Sequence, residues 1–248
     1  MARLDYTHLD PQIILDAGCG LGNFSHHLAH RYPKAQVISI DFAEQMIRTG
    51  KEEFYSLNGL LGDIEKLPFQ AESMDMIFAN QSVHDTDSAL LFKEFHRVLK
   101  PGGVLFFSSL GPDSLKELKM AWECVDTYGH VNEKKDMHDL GDELLRAQFA
   151  QPVVDSEYIT VHYKDPRRLL NDLKEQGSYN NHRLRRTGLM GKDAMEYLLR
   201  GLEEQRNEEG KIPMTYEVIY GHAWRGENKP FYNAETGETF ISVDMLRR

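Results

Sequence analysis

Short apolar runs alternate with helical patterns along the first 110 residues. The runs at 12–16 and 36–41 are continuous rather than alternating, which is typical of parallel strands buried on both faces of a sheet. Helical patterns cover 23–31, 43–54 and "ALLFKEFHRVLKPGG", where Pro-Gly-Gly ends the helix. Three further predicted strands are the start of "GLLGDIEKLPF", "MDMIFANQS" and "VLFFSSL". Five strands alternating with helices predict the α/β class, with a doubly wound, mostly parallel sheet and helices on both faces.

The pattern changes after Leu110. Helices are predicted in "GPDSLKELKMAWECVDTYG", "MHDLGDELLRAQF", "PRRLLNDLKEQG" and "GKDAMEYLLRGLEEQRNEEG". Strands are predicted in "PVVDSEYITVHY" and "MTYEVIYGHAW", with "TFISVDML" as a candidate edge strand. We therefore predict a single domain over residues 1–248, with a core at 12–110 and a helical insertion at 164–210 between two late strands. We expect the insertion to lie at the mouth of the ligand site.

A glycine-rich loop at residues 16–22 follows the first predicted strand. In an open parallel sheet, ligands bind beyond the carboxyl ends of the strands, where the strand order reverses. Gly18 and Gly20 remove side chains where a ligand approaches the backbone, and Asp41, at the end of the second strand, can accept hydrogen bonds from both ribose hydroxyls. The spacing differs from the dinucleotide fingerprint, and the Lys-Ser/Thr pair of a P-loop is missing. The loop therefore matches neither of these two motifs, and a role as a helix or loop cap stays open for Asp16.

Composition and charge narrow the range of partners. The 248 residues are 41% hydrophobic with a formal net charge of −10, which argues against general nucleic-acid binding. Residues 161–200 are an exception, with nine Lys and Arg against five Asp and Glu. This segment is either a solvated helical surface or a landing site for an acidic partner. The chain has two cysteines, no secretory signal and no apolar run of about 20 residues, so we expect a cytoplasmic protein without a membrane segment.

The glycine loop resembles the cofactor motif of class I S-adenosylmethionine-dependent methyltransferases. The segments "GDIEKLPF" (62–69), "FANQSVHD" (78–85) and "FHRVLKPGGVLFFSS" (95–109) are similar to further motifs of these enzymes, so the resemblance covers roughly residues 12–110. It implies a Rossmann-like fold with a seven-stranded sheet and S-adenosylmethionine as the cofactor. The cofactor-binding residues that it implies are Asp16, Gly18, Gly20, Asp41, Phe42, Met46, Asp63, Ile64 and Asn80. A capping role ahead of Pro68 is the alternative for Asp63.

The rest of the chain is similar to the malonyl-[acyl-carrier protein] O-methyltransferase family of biotin synthesis. The blocks "HVNEKKDMHDLGD" (130–142) and "YEVIYGHAW" (216–224) are the most specific part of this resemblance. It implies transfer of a methyl group to the free carboxylate of a malonyl group on acyl-carrier protein. The alternatives are a methyltransferase for another acid or ring, and a protein-modifying assembly factor like those of respiratory complex I. Members carry a helical segment ahead of the first strand, whereas twelve residues precede Ile13 here, so we expect a more open cofactor pocket.

The implied chemistry needs a cation rather than a base. A carboxylate with a pKa of about 4 is already ionised at pH 7, so we expect no catalytic side chain and no catalytic triad. The planar fork of an arginine can hold both carboxylate oxygens. In "NNHRLRRTG" the candidates, in order of preference, are Arg183, Arg186 and Arg185, with Asn180 and Asn181 as neutral donors.

Other charged residues suggest docking rather than metal binding. The candidates for docking an acidic carrier protein are Arg167, Arg168 and Lys192. Four potential ligands lie close together in sequence at His130, Asp136, His138 and Asp139. Their spacing is not that of a metal site, so we predict no metal, and we expect Asp139 to be the N-cap of a helix that begins near Leu140.

Overall fold

The computed structural model describes Leu4 and residues 9–175, 180, 182–188 and 190–226, with the backbone of 231–233 and 238–240. The strands are β1 (Ile13–Ala17), β2 (Gln36–Asp41), β3 (Gly59–Leu61), β4 (Met74–Asn80), β5 (Leu99–Leu110), β6 (Phe149–Tyr163), β7 (Ile212–Arg225), β8 (Phe231–Asn233) and β9 (Glu238–Phe240). The helices are α1 (Asn23–Arg31), α2 (Glu44–Glu53), α3 (Ser88–Val98), α4 (Lys116–Glu123), α5 (Met137–Arg146), α6 (Pro166–Glu175) and α7 (Lys192–Glu203), and a short 3-10 helix spans Val83–Asp85.

Strands β1 to β7 form one sheet in the order β3-β2-β1-β4-β5-β7-β6. β1 pairs in parallel with β2 and β4, β2 with β3, and β4 with β5. The chain moves outward from β1 to β3 and then places β4 on the other side of β1, so the strand order reverses between β1 and β4. The carboxyl ends of these two strands are where such a sheet binds its ligand. The predicted α/β class and seven-stranded sheet are confirmed.

The chain divides into two compact units. The first comprises residues 1–109, 138–154 and 220–248. In its core, Ile14 of β1 and Met76 of β4 pack with Leu28 of α1 and Phe106 of β5. These strands are buried because continuous apolar runs leave them without a polar face.

The second unit comprises residues 110–137 and 155–219 and has its own core. Leu118 of α4, Leu169 of α6 and Leu202 of α7 are buried together there. A Cβ at Gly201 of α7 would lie 3.2 Å from the Cα of Ala121, so the missing side chain lets α4 and α7 approach closely. This unit takes in residues 110–137 in addition to the predicted insertion of 164–210.

Helix α4 is shorter than the prediction over "GPDSLKELKMAWECVDTYG". It begins at Lys116 because residues 111–115 form a turn in which Leu115 has a φ of 61°. The buried carboxylate of Glu217 accepts a hydrogen bond from the N–H of Asp113 at 3.0 Å and holds that turn. The acid that shapes this turn is about a hundred residues away in sequence, so no local pattern reveals it.

Three further sequence predictions need correction. Helix α7 ends at Glu203 rather than near residue 210, since Asn207 exchanges hydrogen bonds with Lys211 in a tight turn. Helix α5 begins at Met137, so Asp139 lies in its first turn and is not its N-cap. In "TFISVDML", the first two residues belong to β9, which pairs with β8 in a separate two-stranded sheet, and residues 241–248 lie outside the described residues.

Candidate cofactor site and arginine loop

Glycines in the left-handed conformation shape the loop after β1. Gly18, Gly20 and Gly22 have φ values of 74°, 55° and 87°, which other residues adopt only with strain. A Cβ at Gly18 would collide with the side chain of Ser82, whereas a Cβ at Gly20 would meet nothing within 4 Å. Packing therefore fixes Gly18, and Gly20 leaves its backbone open to a ligand.

Asp41, the last residue of β2, holds this loop in place. Its Oδ2 accepts a hydrogen bond from the N–H of Gly20 at 2.8 Å, and its Oδ1 accepts one from the N–H of Ala43 at 2.9 Å. A carboxylate has about four lone-pair sites, so about half of its acceptor capacity remains. The arrangement suits two ribose hydroxyls, and that role of Asp41 stays a prediction.

Asp16 lies beneath the loop rather than at its surface. It is 1% exposed, its Oδ2 accepts a hydrogen bond from Ser25 Oγ at 2.5 Å, and Ser25 in turn accepts one from Ser39 Oγ at 2.7 Å. Burial raises the pKa of Asp16 to about 7, against the lowering effect of the Ser25 hydrogen bond, and the charge of Asp41 raises it further. Asp16 therefore ties α1 and β2 to β1, and a direct contact with the cofactor stays a prediction.

Two apolar side chains are exposed directly after Asp41. Phe42, which precedes α2, is 83% exposed, and Met46, in the first turn of α2, is 42% exposed. Neighbouring exposed apolar side chains often mark a surface that a ligand or partner covers. Both suit contact with the flat adenine ring of the predicted cofactor.

The other predicted cofactor residues follow β3 and end β4. Asp63 Oδ1 accepts a hydrogen bond from the N–H of Glu65 at 2.9 Å, which is the local capping role that the sequence left open. Ile64 is buried. Asn80 lies at the carboxyl end of β4, and its Oδ1 accepts a hydrogen bond from Ser108 Oγ at 2.8 Å. Cofactor contacts of these three residues stay predictions.

The sequence motif at 78–85 includes Gln81 and Ser82, but the sequence assigned neither residue a role of its own. Ser82 packs against Gly18 and donates a hydrogen bond from its Oγ to the carbonyl oxygen of Ala17 at 2.8 Å. Gln81 has a φ of 57°, and its backbone N–H donates a hydrogen bond to Ser108 Oγ at 3.0 Å. The run of polar residues Asn-Gln-Ser after an apolar strand is the signal that could have indicated Gln81 and Ser82.

In the second unit, Asp126 lies at the centre of a cluster of polar side chains. Its Oδ1 accepts a hydrogen bond from the N–H of Tyr128 at 3.0 Å and lies 2.7 Å from His130 Nε2, while its Oδ2 lies 3.6 Å from Arg186 Nη1. The ring of Trp122 stacks on that of His130, with centroids 3.6 Å apart. Burial acts to raise the pKa of Asp126, but the contacts with His130, Tyr128 and Arg186 outweigh it and hold the pKa below its ordinary value.

The three arginines predicted to hold the substrate carboxylate lie in different settings. Arg186 pairs with Asp126, whereas Arg183 and Arg185 are exposed and have no ion pair in the part of the chain that the structure describes. Asn180 donates a hydrogen bond to the carbonyl oxygen of Gly129 at 2.8 Å. The other predicted neutral donor is Asn181, which lies outside the described residues.

The docking candidates also differ. Arg168 Nε lies 2.7 Å from Asp172 Oδ1 within α6, so its charge is partly neutralised. Arg167 and Lys192 are exposed at the first turns of α6 and α7. Among the described residues, no group of three His, Cys, Asp or Glu is placed to hold a metal ion. No helix within the described ranges is long and apolar enough to cross a membrane.

Solved structures share this fold at low sequence identity. A Bacillus halodurans protein gives a TM-score of 0.64 at 17% identity over 91% of this chain and 98% of its own. Phosphoethanolamine N-methyltransferase 2 of Haemonchus contortus, solved with S-adenosyl-L-methionine, gives 0.54 at 18% identity over 91% of this chain and 52% of its own. At such identities the similarity shows the fold alone.

Sequence similarity defines the class and then the family. A family model described as a methyltransferase domain matches residues 15–107. Together with the fold and the glycine loop, this match shows that the chain is a class I methyltransferase that uses S-adenosylmethionine. The malonyl-[acyl-carrier protein] O-methyltransferase of Gallionella capsiferriformans is 47% identical over 91% of this chain and 81% of its own. The enzyme of the same name from Legionella pneumophila is 42% identical over 98% of this chain and 87% of its own. The chain belongs to the malonyl-[acyl-carrier protein] O-methyltransferase family.

Proposed function

We propose that the chain transfers the methyl group of S-adenosylmethionine to the free carboxylate of malonyl-[acyl-carrier protein], an early step of biotin synthesis. The observation that carries the proposal is similarity to relatives of that name, at 47% and 42% identity over at least 91% of the chain. Similarity over most of both chains includes the second unit and not just the cofactor core.

The first unit suits the cofactor. When bound, S-adenosylmethionine supplies a methyl group on a positively charged sulfur. Gly20 offers an open backbone, Asp41 keeps acceptor capacity for a ribose, and Phe42 and Met46 expose apolar surface beside it. These features support the predicted cofactor site in the first unit.

The reaction itself makes a modest demand on the protein. The malonyl carboxylate, with a pKa of about 4, is ionised at pH 7 and is itself the nucleophile, so no side chain has to remove a proton. The chain's task is to align the carboxylate oxygen with the methyl group and to exclude water. An anion that loses its water needs a paired cation, which the arginines of the second unit can supply.

The second unit also suits an acidic carrier protein. Arg167, Lys192, Arg183 and Arg185 are exposed basic side chains without an ion pair among the described residues. Complementary charges of this kind speed the encounter of two proteins more than they strengthen the final complex. We propose that they steer the carrier protein to this unit.

Methyl transfer from labelled cofactor tests the proposed function. The substrates to compare are malonyl-carrier protein, malonyl-coenzyme A and a carrier with a longer dicarboxylic acyl group. We expect malonyl-carrier protein to have the highest kcat/KM, with the label recovered as a methyl ester. Absence of label on all three substrates would reject the proposal, and labelling of the carrier protein's own side chains would favour a protein-modifying activity instead.

A further inference from the structure

Arg186 differs from its two neighbours in how firmly its side chain is held. Its side chain is 36% exposed, its Nη1 lies 3.6 Å from Asp126 Oδ2, and its Cζ lies 5.9 Å from the ring centroid of Tyr128. Arg183 and Arg185 are exposed and have no such side-chain contacts within the described ranges. An arginine that moves freely in water has to lose rotamer entropy before it can bind an anion. Arg186 has already lost part of that freedom.

Asp126 is oriented toward Arg186 by contacts on its other side. Its Oδ1 is engaged by the N–H of Tyr128 and by His130. Its Oδ2 is buried and accepts no hydrogen bond among the described residues, although it faces Arg186. At 3.6 Å the contact is an ion pair rather than a hydrogen bond. The pair attracts the guanidinium without occupying its donors.

The backbone around this pair is fixed. The stack of Trp122 on His130 is nearly parallel, with an interplanar angle of 2°. The N–H of Gly129 donates a hydrogen bond to the carbonyl oxygen of Leu184 at 3.0 Å, so the segment that carries Asp126 is joined to the one that carries Arg186. These contacts hold the two segments together, so Arg186 lies beside Asp126 before any ligand arrives.

We infer that Arg186 binds the free carboxylate of the substrate and that Asp126 is the positioning residue that orients it. The guanidinium has five N–H donors, and Nη1 is the donor atom that lies 3.6 Å from Asp126 Oδ2, so Nε and Nη2 remain for two parallel hydrogen bonds to a carboxylate. The inference rests on the proposed function and reverses the order in which the sequence placed Arg183 and Arg186. We prefer Arg186 to Arg183 because an anion that leaves water is stabilised most by a cation that is already in position.

Kinetics on malonyl-carrier protein with four variants test the inference. Arg186→Ala should lower kcat/KM by about 100-fold, because the desolvated carboxylate is left without a cation. Arg186→Lys should recover part of that loss, since it restores charge but not the fork. Asp126→Asn should raise KM by about tenfold, since it weakens the orientation and leaves the cation. The matched control is Arg200→Ala, because Arg200 also lies 5.9 Å from a tyrosine ring, that of Tyr197, but has no acidic partner among the described residues.

A second readout separates carboxylate binding from a structural role. Butyryl-carrier protein is close to the malonyl form in size but lacks the charge, so the ratio of their dissociation constants measures recognition of the carboxylate. Arg186→Ala and Asp126→Asn should bring this ratio toward one, with affinity for S-adenosylhomocysteine unchanged. If the wild type is active and both variants keep its ratio, the inference is wrong and the proposed function stands. If the wild type does not methylate malonyl-carrier protein at all, the proposed function itself is rejected.

Discussion

Each unit contains an aspartate with several polar contacts, and the two aspartates are in opposite electrostatic settings. Asp16 of the first unit has a hydroxyl partner, and burial raises its pKa to about 7. Asp126 of the second unit is 17% exposed at its side chain, yet contacts with His130 and Arg186 hold its pKa below the ordinary value. The contacts around Asp16 are hydrogen bonds among uncharged hydroxyls and its carboxyl group, whereas those around Asp126 include the basic side chains of His130 and Arg186. We expect this division because the proposed cofactor is a cation and the reacting group of the proposed substrate is an anion.

The largest effect should come from the backbone of the first unit. Gly18→Ala places an alanine in the left-handed backbone conformation, and its Cβ collides with the side chain of Ser82. Together these two effects should destabilise the protein by roughly 2–6 kcal/mol. Gly20→Ala has a similar φ but open space and should cost about 1 kcal/mol. Denaturant unfolding measures both changes, and calorimetry with S-adenosylhomocysteine shows whether Gly20→Ala still binds.

This pair of variants separates folding from ligand access. We expect Gly20→Ala to be nearly as stable as the wild type and to bind the cofactor product more weakly, since its new methyl group occupies the open side of the loop. Equal stability of the two variants would show that the contact with Ser82 does not matter. Wild-type affinity in Gly20→Ala would remove this side of the loop from the cofactor site.

The pH dependence of stability should differ in sign between the two aspartates. The folded pKa of Asp16 exceeds its unfolded value of 3.8, so unfolding releases a proton and stability falls as the pH rises from about 4 to 7. At about 1.4 kcal/mol for each pKa unit, the total is about 4 kcal/mol. Asp16→Asn keeps the size and lacks the charge, so its stability relative to wild type should increase across this window. Denaturant unfolding at several pH values measures the difference.

Asp126→Asn gives the opposite comparison. The folded pKa of Asp126 is lowered, so its contribution to stability is present above pH 4 and disappears as the pH falls through the folded pKa. The stability of Asp126→Asn relative to wild type should therefore decrease with rising pH at the acidic end. Curves of the same sign for both variants would contradict the electrostatic contrast between the units.

A medium effect is expected at Asp41. Asp41→Ala should weaken binding of S-adenosylhomocysteine by roughly 1.5–3 kcal/mol for each lost hydrogen bond to the carboxylate. It also removes the anchors of Gly20 and Ala43, so stability has to be measured in parallel. Asp165→Ala is the matched control, because Asp165 also accepts a hydrogen bond from a local backbone N–H, that of Arg167 at 2.9 Å, and is not among the predicted cofactor residues. Unchanged affinity in Asp41→Ala would remove Asp41 from the ribose site.

The sequence predicted the first unit better than the second for a physical reason. Strands β1 to β5 and the glycine loop are encoded by contiguous apolar runs and by glycines a few residues apart, and such local patterns survive without knowledge of the fold. The burial of Asp16 was not predictable, because the sequence pattern of an acid at the end of a strand is the same whether its side chain faces water or Ser25.

The second unit depends on contacts between distant segments. The turn at Leu115 is set by Glu217, and the orientation of Arg186 is set by Asp126 from another loop. The sequence singled out three arginines by composition and spacing, but it could not show which one has a partner. For the same reason, Arg167 and Arg168 looked equivalent until the contact of Arg168 with Asp172 distinguished them.

The smallest effect should come from the exposed charges of the second unit. Arg167→Glu reverses an exposed charge on α6 and should slow association with malonyl-carrier protein by about three- to tenfold at low salt, with a flatter salt dependence. Affinity for S-adenosylhomocysteine should not change. The control is Arg146→Glu, which makes the same charge change at an exposed side chain of α5 in the first unit. Stopped-flow association at several salt concentrations measures the rates. If both variants slow association equally, the attraction comes from net charge, and α6 holds no dedicated docking site for the carrier protein.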